Sequence, residues 1–248
     1  MKKTNYSYIG ITAIILIFGI IFIPKIIDRI SNDDITRQES RSKNVSKKVS
    51  GDALSYLIIN GQKKKVADFS FTNQQGKTIT NSDYSGKVYL VEFFFTTCPT
   101  ICPRMSRNLV DIQDSFNGLD NFGIASFTIN PENDTPEILK AYAEKYKVTN
   151  PNWHFLTGDY DAIYDLANTG FNLYAAEVEG AAGGFEHSGN FALIDKNGFI
   201  RSRTDDYGNP KIYYKGIISE EEKYDEDGEE EEISMLKEDI KKLLAEDD

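Results

Sequence analysis

Nine residues, Lys87-Val88-Tyr89-Leu90-Val91-Glu92-Phe93-Phe94-Phe95, constrain the fold of this chain more than any other stretch. A half-buried strand alternates apolar and polar side chains, but this run is apolar on both faces and only Glu92 interrupts it. Such a strand is stable only in the middle of a sheet with a layer of protein on each side. The neighbouring sequence must therefore supply more strands and at least two sets of helices.

It does so in a readable order. "VADFSFTNQQGKTIT", beginning at Val66, alternates Phe69 and Phe71 with polar residues and turns at Gln75-Gly76, which predicts a hairpin. After the central run, Pro103 precedes Met105, Leu109, Ile112 and Phe116 at helical spacing. "GIASFTIN" (Gly123 to Asn130) reads as a second buried strand, and Asp134-Thr135-Pro136 opens a helix through Tyr146. A further helix is expected from about Tyr160 to Asn168. "NFALIDKNGFIRSR" predicts a hairpin turning at Asn197-Gly198, and Ile233, Leu236, Ile240, Leu243 and Leu244 mark a last amphipathic helix over 233–246. Strands alternating with helices, then a hairpin and a closing helix, predict an α/β fold: a three-layer sandwich of the thioredoxin type over residues 66–248.

The N-terminus has a different character. Tyr6 to Ile23 carries no charge, and eighteen helical residues span about 27 Å, close to the thickness of a bilayer's hydrocarbon. "FIPKIIDRIS" offers no small-residue cleavage site, so residues 1–27 read as an uncleaved transmembrane helix rather than a signal peptide. Lysines and arginines flank the segment on both sides, so charge alone does not set its orientation. Residues 28–65 are polar and charged and read as a tether, with a short strand expected at its one apolar island, Leu54 to Ile59. The net charge of −11 is concentrated near the other end. Between Glu220 and Glu232 ten acids stand against Lys223, a net of −9, and residues 219–232 read as a solvated, mobile insertion. No basic face is evident, which argues against nucleic acid as a partner.

Both cysteines of the chain, Cys98 and Cys102, fall between the central strand and the first long helix. Ligands of open α/β sheets gather at that place, and helix-terminal amides favour a thiolate there. The C-x-x-x-C spacing can close a disulfide, and it also lets two sulfurs face one external atom. Two thiolates suit a soft ion such as Cu(I), with a third ligand drawn from elsewhere. Of the two histidines, His187 lies just before the second hairpin, in the loop that faces the dithiol in a thioredoxin-type fold. Redox members of that fold carry a cis-proline there, whereas this chain has no proline between Pro151 and Pro210. His154, between Trp153 and Phe155, reads as packing at a strand end, and Met105 as helix core. A structural disulfide or buried filler thiols remain the plain alternative for the cysteines, and a polar loop residue the plain alternative for His187.

Taken together, "VYLVEFFFTTCPTICP", "FTINPENDTPEILKAYAEKY", "WHFLTG" and His187 before "FALIDKNGFI" resemble the Sco/SenC family. Those proteins are membrane-anchored copper chaperones of thioredoxin-like fold that serve cytochrome c oxidase assembly. The resemblance covers about Val66 to Leu244, and the anchor as well. It implies copper, as Cu(I) and also Cu(II), held by Cys98, Cys102 and His187, with Cys98 and Cys102 able to form a redox-active disulfide. It implies as partner the oxidase subunit that carries the binuclear copper centre, and no catalytic residues. It also implies a single-pass protein of a bacterial inner membrane with its folded domain on the periplasmic side. Asn130 stands where many members have aspartate. A thiol-disulfide oxidoreductase that reduces the oxidase subunit's cysteines is the main rival. A thiol peroxidase using Arg104 and a membrane-tethered docking module are weaker ones.

Overall fold

The structure, a computed structural model, describes residues 53–204 and 210–246. The expected membrane anchor and most of the expected tether lie outside the described residues. Among the described residues no helix is long and apolar enough to cross a membrane.

The central run is a strand as its composition demands. It spans Val88–Phe94 (β6, after five shorter strands), and all seven residues are buried. The earlier strands are β1 (Ser55–Tyr56), β2 (Ile58–Ile59), β3 (Gln62–Lys63), β4 (Ser70–Asn73) and β5 (Thr78–Thr80). After β6 come β7 (Phe122–Thr128), β8 (Trp153–Thr157), β9 (Ala175–Glu177), β10 (Phe185–His187), β11 (Asn190–Ile194), β12 (Ile200–Ser202) and β13 (Tyr214–Lys215). The main sheet runs β1-β12-β11-β6-β7-β8-β4-β5, with β13 also paired to β11. Strands β6, β7 and β8 are parallel, with Glu92 opposite Ser126 and Ser126 opposite Phe155.

Parallel neighbours need crossovers, and two helices provide them: α1 (Cys102–Ser115) and α2 (Pro136–Lys145). Thr135 caps α2 by accepting from the N–H of Ile138, with Pro136 in the first turn. A third helix, α3 (Tyr160–Asp165), runs into a wider turn over Leu166–Phe171, and α4 (Ile233–Ala245) ends the described chain. Alternation along β6 divides the layers. Phe94 meets Tyr142 of α2, and Ser106 of α1 bonds the Tyr142 hydroxyl at 2.9 Å, which puts α1 and α2 on one face. Phe93 meets Phe171 on the other face, where Phe69, Phe71 and Phe127 complete an aromatic cluster. This is the expected three-layer α/β sandwich.

Three details depart from the sequence reading. The sheet begins before residue 66: Leu54 and Leu57 are buried, and β1 pairs with β12 through Ser55↔Ser202 and Tyr56↔Arg201. The apolar island thus belongs to the folded domain, because Arg201 behind it accepts no exposure and donates to the carbonyl of Leu54 at 2.8 Å. Around His154 the chain forms a full parallel strand, β8, whose Trp153, Phe155 and Leu156 are buried. The acidic stretch, expected to be mobile, is tied to the domain through Arg104–Glu222, Lys237–Glu220, Lys215–Glu229 and Lys211–Glu232. Its surplus charge is partly matched by lysines that flank it in sequence and by Arg104 far upstream, which a count within the stretch does not reveal.

Candidate metal centre

The centre is built where β6 stops. Phe95 is the last apolar residue of the run, and the N–H of Cys98 reaches back to its carbonyl at 3.3 Å, closing a tight turn. The chain then passes Pro99, Thr100 and Ile101 and enters α1 with Cys102 as the first helical residue and Pro103 as the second. Proline needs no N–H bond there and presets the backbone for a helix. No side chain caps this N-terminus and no acid lies in the first turn. Pro103 has no N–H and those of Arg104 and Met105 bond the Ile101 carbonyl, so the N–H of Cys102 is the helix-terminal donor left to the Cys98 sulfur.

A second set of bonds fixes the height of this turn. Asp134 is fully buried, and its carboxyl group accepts from the N–H of Thr96 at 3.0 Å and from the hydroxyls of Thr96 and Thr128. The Asn133 amide adds a further donor at 2.8 Å. One side chain thus joins the end of β7, the start of α2 and the residue two before Cys98. The sequence motif "ENDTP" marked the helix start, but the clasp across to Thr96 had no local signal. Asn130 sits in the same turn, where its carbonyl accepts from the N–H groups of Asn133 and Asp134.

His187 arrives from a separate element. Among the described residues strands β9 and β10 pair only with each other, with His187 opposite Ala175. The hairpin is seated on the dithiol turn through Phe95, whose ring meets Phe185 at 5.2 Å and His187 at 5.9 Å. Gly183 carries φ +81°, and a Cβ there would lie 2.7 Å from the Phe95 ring, so only glycine fits. The imidazole Nδ1–H donates to the carbonyl of Ser188 at 3.0 Å, which leaves the Nε2 lone pair facing the sulfurs. Nε2 is 3.1 Å from Sγ of Cys102.

One sulfur of Cys98, one sulfur of Cys102 and one ring nitrogen of His187 all lie within 4.8 Å of one another. Both cysteines are buried and unbridged. The pair divides its protonation unequally. Hydrogen bonding from Cys102, through its side chain and its backbone N–H, holds the Cys98 thiol well below its ordinary range, against the opposing effect of burial. Burial first, and then that same bond to Cys98, pushes Cys102 upward. Cys98 is the sulfur that ionises first. Beside it opens a cleft of about 470 Å³ lined by Phe95, Cys98, Ile101, Tyr174, Phe185 and His187. Two thiol sulfurs and an imidazole with a fixed tautomer are a soft donor set that fits a copper ion.

The other residues weighed from sequence lie elsewhere. His154 is on β8, its Nδ1 facing the Asn73 amide at 3.3 Å and its ring against Tyr84; burial lowers its pKa. Met105 is fully buried in the face of α1. Arg104 turns from the thiols to Glu222, at 2.9 Å to both carboxylate oxygens.

Comparison with known proteins agrees with this geometry. A family model described as SCO1/SenC matches residues 59–220. A SCO1 protein homolog of Bacillus subtilis is 35% identical over 159 residues, which are 63% of this chain and 80% of that protein. Of other relatives the chain spans less, 64% for a group from Rickettsia. Among solved structures, BsSco is similar with a TM-score of 0.59 and 28% identity, covering 77% of this chain and 99% of that one. It is described as a member of the Sco family of cytochrome c oxidase assembly proteins that has a disulfide switch. ScoI of Bradyrhizobium japonicum, solved with copper bound, is similar at a TM-score of 0.50 and 26% identity, covering 57% and 89%. With the family's model matched over most of the folded domain, and two thiols and an imidazole drawn together at the end of its central strand, this chain belongs to the SCO1/SenC family.

Proposed function

We propose that this chain is a membrane-anchored copper chaperone that carries one copper ion on Cys98, Cys102 and His187 and passes it to the binuclear copper centre of cytochrome c oxidase. The observation that carries the reading is the convergence of those three ligand atoms within 4.8 Å. The copper-bound Bradyrhizobium japonicum relative and the oxidase-assembly description of BsSco support the cargo and the pathway.

Copper is the cargo, Cu(I) first and Cu(II) as a second state. Loading displaces the thiol protons, which costs least at Cys98. The Nδ1 bond to Ser188 keeps the ring turned so that Nε2 is always the ligating atom. Release proceeds by ligand exchange through the cleft beside Cys98, the side from which a recipient's ligands can approach. The recipient would be the oxidase subunit holding the binuclear centre. We place the folded domain on the periplasmic side of a bacterial inner membrane, anchored once through residues 6–23.

The test is metal analysis of the reduced full chain beside Cys98→Ser, Cys102→Ser and His187→Ala. Wild type should retain one copper and pass it to the purified acceptor subunit, and each variant should bind more than about a hundredfold more weakly. Unchanged retention in His187→Ala would overturn the three-ligand reading.

A second reading has its own support in the free dithiol and the disulfide switch of BsSco. The Cys98 thiolate would attack a disulfide of the oxidase subunit, and Cys102 would then displace the mixed disulfide. The subunit gains two electrons as two thiols, and Cys98–Cys102 becomes the disulfide. Exchange of this kind survives His187→Ala, whereas copper carriage does not.

A further inference from the structure

The edge of the main sheet carries an element that the copper site does not use. Strands β2 and β3 form a small hairpin of their own, with Ile58 opposite Lys63 and Ile59 opposite Gln62. Asn60 and Gly61 form its tip, at φ +52° and +78°, as a tight two-residue hairpin turn requires. Ile58 is 49% exposed and Ile59 is 39% exposed. Successive strand residues point to opposite faces, so this is a thin blade with an uncovered isoleucine on each side. Lys63, Lys64 and Lys65 follow directly, and among the described residues none of them pairs with a carboxylate. Lys63 instead lies 3.5 Å over the Tyr56 ring, and Lys64 donates to the carbonyl of Thr169. Three lysines with no carboxylate partner among the described residues, beside two exposed isoleucines, are a local reversal in a chain whose net charge is −11.

The topology fixes where the blade points. Strand β6 starts at Val88 and ends at the dithiol turn. Tyr89, near its start, is opposite Ile194, and β11 then turns through Gly198 into β12. The N–H of Leu57 bonds Ile200 at that same end, and the carbonyl of Leu57 accepts from Lys64. Ile58 and Ile59 project beyond this last rung. The blade therefore leaves the sheet at the end opposite Cys98 and Cys102.

We propose that the β2–β3 hairpin is a membrane-contact element, which dips its two isoleucines into an anionic lipid surface and holds the copper site facing away from it. The proposal rests on the reading that residues 6–23 anchor the chain, since only about thirty residues separate that segment from the blade. Charge selects lipid as the occupant: the lysines match anionic headgroups, the isoleucines match the acyl boundary, and the polar Asn60-Gly61 tip limits the depth. A domain so oriented presents its dithiol to a partner's extramembrane face rather than to the bilayer.

The experiment places an indole on the blade by Ile59→Trp, and separately by Ile58→Trp, in the full chain reconstituted into vesicles with and without anionic lipid. The native Trp153 is 1% exposed, beyond the reach of lipid, and serves as an internal reference. Lipids brominated near the headgroup should quench the introduced indole and spare Trp153. Replacing Lys63, Lys64 and Lys65 with glutamine should weaken the contact by about fivefold per lysine. Resistance to alkaline extraction reports the anchor independently. A chain that resists extraction but shows no quenching at either position overturns the proposal and leaves the anchor standing. A chain that is extracted yet quenched overturns the anchor and keeps the blade, and one extracted and unquenched overturns both. A blue shift that depends on protein concentration and ignores bromine would assign the blade to a second copy of the chain, again overturning the proposal.

Discussion

The two halves of the metal centre are held by different kinds of structure. The dithiol turn continues the central strand of the main sheet, and Asp134 clasps it with bonds from two threonines and a backbone N–H. The imidazole rides on a two-stranded hairpin that pairs with no other strand among the described residues. Its seat is the Phe95 ring, a close glycine and one bond from its own backbone. The proposed carriage of copper would gain from this asymmetry. On that proposal the sulfurs stay in place, and the bond expected to exchange first is the one to the hairpin. If so, damage to the clasp should cost stability and copper together, while damage to the hairpin should cost copper alone.

The largest effect should come from the clasp. Asp134→Ala leaves the buried Thr128 hydroxyl and the half-buried N–H and hydroxyl of Thr96 without an acceptor, each costing about 1–3 kcal/mol. After relaxation we expect a loss of about 3–5 kcal/mol in denaturant unfolding and a weaker copper site. Asp134→Asn keeps the shape and should recover part of both. Full stability in Asp134→Ala would show that the turn needs no clasp, and the contrast between the two halves would dissolve.

The same rigid half carries a buried liability. Glu92 is 1% exposed, accepts from Ser126 at 2.6 Å on one oxygen, and has no partner on the other among the described residues. Burial pushes its pKa up to about 7. Between pH 4.5 and about 7 the folded state then binds more protons than the unfolded one, so stability falls as pH rises through that window and the penalty is fully present above it. Glu92→Gln should remove this slope. The variant should gain about 3 kcal/mol over wild type at pH 8 and nothing at pH 4, read from denaturant midpoints across pH. Parallel curves for the two proteins would refute it.

How much of this was legible in the sequence follows the same division. Residues whose role is set by neighbours in the chain were readable: the two-faced run of β6, the Pro103 helix start, and Cys98 and Cys102 between them. His187 was reached through the expected topology, because nothing local in "GGFEHSGNF" distinguishes a ligand from a loop histidine. The clasp from Asp134 to Thr96 spans 38 residues and the Arg201 cluster spans 147, distances at which periodicity carries no information. For the same reason the island at Leu54 reads as part of the tether in sequence. Its partner, β12, lies at the other end of the domain sequence.

The hairpin half is tested by its close glycine. Gly183→Ala puts a Cβ against the Phe95 ring and strains a backbone at φ +81°. Because that strain sits in a separate hairpin, the global cost should stay near 1–2 kcal/mol. Copper retention should fall by about tenfold to a hundredfold as the ring of His187 shifts. Equal losses in stability and affinity would mean that the hairpin and the sheet unfold as one unit.

The smallest effect is expected at Arg104–Glu222, the tie between the acidic stretch and the helix that carries Cys102. One guanidinium nitrogen reaches both carboxylate oxygens at 2.9 Å, but the side chains are 38% and 46% exposed, so water and salt screen the pair. Glu222→Gln should change stability by less than about 1 kcal/mol, and 0.5 M salt should erase what difference there is. Copper affinity should not move, since Arg104 points away from the sulfurs and the clasp alone sets the height of the turn. A drop in affinity that salt reproduces in wild type would show instead that the dithiol is supported electrostatically from outside. The rigid half would then owe its rigidity to charge rather than to buried hydrogen bonds.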